Sequence, residues 1–75
     1  MSFNLELIEE LAIKALNSRR SINDDIKQLC WAAIHEHVHG FKPLEYDIRE
    51  IDEGLYIEVI DYAMKLNQNE PRIIL

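Results

Sequence analysis

SINDDIKQLCWAAIHEHVHGFKP, residues 21–43, decides the fold class. Ile22, Ile26, Leu29, Cys30, Ala33 and His37 recur at spacings of three and four, the period that brings residues to one face of a helix. The pattern predicts a helix over 21–39. Ser21 with Asp24 three positions on makes a box-like start. Gly40 is the expected stop in a left-handed conformation, with Phe41 packing back on the last turn. Pro43 biases Lys42 away from helix, so a Gly-Phe-x-Pro corner is expected at 40–43.

Outward from this segment, Leu5, Ile8, Leu11, Ala12, Ala15 and Leu16 predict a first helix over 4–17. Asn4 is its expected N-cap, and Glu10 with Lys14 is an i,i+4 pair in the favourable order. On the other side, Leu55, Val59, Ile60, Ala63 and Leu66 predict a third helix over 52–67. Asp47 with Glu50 reads as another start signal, and Gly54 as a kink or turn. An apolar tail follows at 72–75. The expectation is an all-α, single-domain, three-helix chain over 1–75.

The chain has 75 residues, of which 48% are hydrophobic and 29% charged. Enough apolar surface is present for a folded domain. A chain of this size buries only about 60% of its unfolded surface, so its core usually needs a disulfide, a metal or a partner subunit. Cys30 is the only cysteine, which rules out an internal disulfide and fits a buried, inert thiol. No membrane-spanning run and no signal-peptide pattern is expected, and the default location is cytoplasmic.

The net charge is −6, against the clustered bases that nucleic-acid affinity requires. Residues 45–61 hold seven acids (Glu45, Asp47, Glu50, Asp52, Glu53, Glu58, Asp61) against Arg49 alone. The band is either a solvated face or a surface complementary to a basic partner, such as the DNA-reading face of a repressor. A DNA-binding helix-turn-helix is disfavoured by the same acids.

The apolar arc of helix two spans roughly 200°, wider than a surface helix needs. It includes Trp31, Ile34 and Val38. Helix three is as broad, with Tyr56, Ile57 and Met64. Three short helices do not enclose two such faces, so these six residues are expected to meet a neighbouring subunit. A homo-oligomer is the expectation.

His35-Glu36-His37-Val38-His39 contains H-E-x-x-H, the spacing by which two histidines one turn apart bind zinc with the glutamate as base. His35 and His39 are the candidate ligands, with Glu45, Asp47, Glu50 or Glu58 as a third. The competing reading is structural: histidines favour helix C-termini, and His35 and His39 share a stripe with Trp31. That reading is preferred, with no cofactor and no catalytic residue expected. A zinc-dependent hydrolase is the alternative.

Over residues 21–67, the order of features resembles a small C-terminal helical domain of phage antirepressors and related phage regulators. The residues that carry the likeness are Leu29, Trp31 and Ile34, then Gly40-Phe41, Leu44-Glu45-Tyr46, and Ile51, Leu55, Val59 and Ile60. In that family a glycine usually follows the phenylalanine, whereas Gly40 precedes Phe41. The resemblance implies a self-associating regulator that binds a repressor and blocks its DNA-binding function. A generic scaffold or antitoxin-like subunit has the same composition.

Overall fold

The computed structural model describes residues 4–44 and 49–69, with the backbone alone at 69. Among these residues there are three helices and no β-strand: α1 Leu5–Asn17, α2 Ile26–His39 and α3 Glu53–Asn69. Each helix packs on both of the others. No helix among the described residues is long and apolar enough to cross a membrane.

α1 starts at Asn4, whose side-chain oxygen accepts from the Glu6 N–H at 2.7 Å. It ends at Ser18, whose hydroxyl donates to the Ala15 carbonyl at 2.7 Å. These contacts satisfy groups that a helix end otherwise leaves bare. Lys14 does not pair with Glu10, its neighbour by helical spacing; it reaches Glu36 on α2.

α2 begins at Ile26, five residues later than its apolar period suggests. The Ser21–Asp24 signal is present but closes a separate turn. The Asp24 carboxylate accepts from Arg20 N–H at 2.8 Å and Ser21 N–H at 3.2 Å. Asp25 is then extended and caps the helix, accepting from Lys27 N–H at 2.9 Å. Ile22 therefore lies outside the helix and is exposed, as is His37 in the last turn. Gly40 ends α2 with φ 84°, a conformation in which a Cβ is strained.

α3 begins at Glu53, with the Asp52 carboxylate accepting from Leu55 N–H at 3.2 Å. Gly54 sits inside the first turn, and the helix runs through it without the expected interruption. The expected start signal at Asp47 and the apolar tail at 72–75 lie outside the described residues.

The core is Ile8, Leu11, Ala12 and Ala15 of α1, Ile26, Cys30, Ala33 and Ile34 of α2, and Leu55, Val59 and Ala63 of α3. Four of these are alanine, so helices approach closely over little apolar volume. Burial pushes the Cys30 thiol up to about 11, with the Asp25 carboxylate adding to the effect. Ile34, expected at a subunit interface, is fully buried in the chain's own core; it faces inward beside Cys30, so it is not offered to a neighbour. Ile34→Ala should therefore cost about 2–5 kcal/mol of unfolding free energy in urea titrations. A loss below about 1 kcal/mol would contradict a core position.

Candidate functional site

The last turns of α2 and the residue after Gly40 carry a cluster of tilted and edge-on rings. His35 lies 5.2 Å from Trp31, 4.7 Å from His39 and 5.1 Å from Phe41, centroid to centroid. The Arg49 guanidinium stands 5.2 Å from the Phe41 centroid. His35 is fully buried, and both its nitrogens are used. Nδ1 lies 2.9 Å from the Phe41 carbonyl oxygen. A carbonyl only accepts, so Nδ1 carries the proton. Nε2 then accepts from the Arg49 N–H at 3.4 Å. His39 Nε2 donates to the Glu50 carbonyl at 2.8 Å.

The H-E-x-x-H residues thus serve separate contacts. His35 and His39 tie the end of α2 to the returning chain at 41 and 49–50. Glu36 points to α1, where the Lys14 ammonium, hydrogen-bonded to it, holds its carboxyl below the usual range. A metal ion bridging the two Nε2 atoms would displace both Arg49 N–H and the Glu50 carbonyl. No group of three or more His, Cys, Asp or Glu side chains among the described residues is arranged to hold a metal ion. Glu45 and Asp47, two candidate third ligands, lie outside those residues.

The expected interface residues divide by exposure. Ile57 is 59% exposed and Val38 49%. Trp31, Tyr56 and Met64 are half-buried, the last two against the core. Of the acids, Glu50, Asp52, Glu53 and Asp61 are exposed and Glu58 is half-buried. Glu53, Ile57 and Asp61 are successive i,i+4 neighbours and so lie on one face of α3.

Two clefts lie between helices among the described residues. Between α1 and α3, a groove of about 270 Å³ is lined by Ile13, Leu16, Tyr62 and Leu66. Its ends are closed by Tyr62 O–H donating to Glu9 at 2.6 Å and Arg19 donating to Asn67 at 3.2 Å. Between α1 and α2, a cleft of about 440 Å³ has Leu29, Ala32 and Ala33 as its apolar lining. Its charged rim is Lys14, Arg20, Lys42 and Glu36. Sequence reading missed this basic rim, because its three cations are scattered from 14 to 42 and meet only after α1 and α2 pack.

A family model described as a domain of unknown function (DUF8662) matches residues 6–67. The chain belongs to this family. The match takes in nearly all of the helical unit and replaces the resemblance to phage antirepressor domains, which is incorrect. That likeness rested on hydrophobic spacing, and any close-packed set of three short helices repeats such spacing. No match was found among curated proteins or solved structures.

The contacts of His35 set an expected order of mutational effects. His35→Phe keeps a ring but strands the Phe41 carbonyl and the Arg49 N–H, at about 1–3 kcal/mol each. His39→Phe strands one partly exposed carbonyl and should cost less than about 1.5 kcal/mol. Equal losses in urea unfolding would contradict the assignment.

Proposed function

We propose that this chain is a small self-associating protein-interaction domain of its family. The observation that carries the reading is Ile57, 59% exposed in the second turn of α3 while Leu55 and Val59 on either side are buried. Val38 at 49% exposure and the half-buried Trp31, Tyr56 and Met64 extend the apolar surface available to a partner. An alanine-rich core in so short a chain leaves stability to be gained from a second subunit. The acids of 50–61 then orient a basic surface on the partner and reject acidic ones. A repressor as that partner was offered as one example of a basic partner for the acid band and implied by the discarded resemblance; it is not part of the proposal.

Sedimentation velocity over a concentration series tests the reading. Wild-type protein should associate reversibly, and Ile57→Asp should stay monomeric with unchanged helical circular dichroism. A wild-type chain that sediments as a monomer throughout would overturn it.

A further inference from the structure

The chain carries 14 acids, yet at the α1–α2 cleft the Arg20 guanidinium has none in contact, and Lys42 acts on the Glu36 carboxylate only through space, lowering its pKa. Neither the Arg20 guanidinium nor the Lys42 ammonium has a hydrogen-bond or ion-pair partner among the described residues. Arg20 engages only through its backbone, with Asp24. The third cation, Lys14, is paired with Glu36. Arg20 precedes α2 and Lys42 follows it, and both line the cleft. Between them the lining is apolar, with Leu29, Ala32 and Ala33. The alanines give depth, because they leave the space a larger side chain would fill.

α3 presents the converse surface. Glu53, Ile57 and Asp61 alternate acid, aliphatic and acid along one face, all three exposed. Eight residues of helix separate the carboxylates by about 12 Å. The α2 segment from Leu29 to Glu36, which walls the cleft, rises about 10 Å. Asp61 is held only by Lys65 at 3.3 Å in a pair that is about 70% exposed on both sides, so exchanging that partner costs little.

We propose that the α1–α2 cleft receives the Glu53–Ile57–Asp61 stripe of α3 from a second copy of this chain. Arg20 and Lys42 pair with the two carboxylates, and Ile57 seats against Leu29 and Ala33. The inference rests on the self-association reading above and names the surface each copy uses. Cleft and stripe are different patches. The contact is therefore either made twice in a two-fold pair or repeated head to tail.

Charge reversal tests it. One variant carries Arg20→Glu and Lys42→Glu; the other carries Glu53→Lys and Asp61→Lys. Each alone should associate at least about 10-fold more weakly than wild type, since like charges then meet. Mixed, they should form a one-to-one complex, because the reversed cleft of one meets the reversed stripe of the other and both native patches also match. Both variants stay net negative, so bulk attraction does not produce that pairing. The milder variants Arg20→Gln with Lys42→Gln, and Glu53→Gln with Asp61→Asn, serve if a reversal unfolds the chain. They should weaken association and remove its salt dependence. Wild-type association by both reversal variants, or no complex in the mixture, would overturn the cleft as the docking site. Loss in Ile57→Asp alone would then leave self-association standing by another surface. A monomeric wild type would overturn both.

Discussion

The buried imidazole of His35 is the constraint on which the rest of the molecule depends. A polar ring removed from water costs free energy unless both its nitrogens find partners. Here Nδ1 donates to the Phe41 carbonyl and Nε2 accepts from the Arg49 N–H. Those two partners both belong to the segment joining α2 to α3, eight positions apart. Satisfying one ring therefore draws the chain back across the end of α2, where His39 adds a bond to the Glu50 carbonyl. Phe41 and Arg49 then stack over the site. Asp52 caps α3 soon after, so the path of the third helix follows from how this ring is satisfied.

The helices can meet closely because Ala12, Ala15, Ala33 and Ala63 occupy the core. Close approach favours dispersion contacts but limits the apolar area buried. The same packing leaves Ile57 and Val38 outside. The features that make the three-helix unit compact therefore also leave it with apolar surface for a partner. Charge is divided in the same way. Acids lie along the outer face of α3, and Arg20 and Lys42, without a close ion pair among the described residues, line the α1–α2 cleft.

The helical content was legible in the sequence because apolar spacing and capping residues agree, as Asn4 and Gly40 each illustrate. The start of α2 was not. Ser21 and Asp24 carry genuine helix-start chemistry, but Asp24 spends its carboxylate on a turn and Asp25 caps the helix instead. Ile34 was misplaced because periodicity gives an arc and not the direction in which the arc is buried. The zinc-like motif was visible as spacing alone. Spacing did not reveal that His35 has backbone partners from two distant points of the chain, or that Glu36 turns to Lys14. The basic cleft left no local trace, since its cations converge only through tertiary packing.

The tautomer of His35 tests this account most directly. Long-range nitrogen–proton correlation spectra on isotope-labelled protein distinguish a protonated Nδ1 from a protonated Nε2. The account requires a proton on Nδ1 of His35 and an acceptor Nε2, with Nε2 protonated on His39. A His35 ring protonated at Nε2, or one exchanging freely between tautomers, would show that it does not bridge Phe41 and Arg49 and would contradict the account.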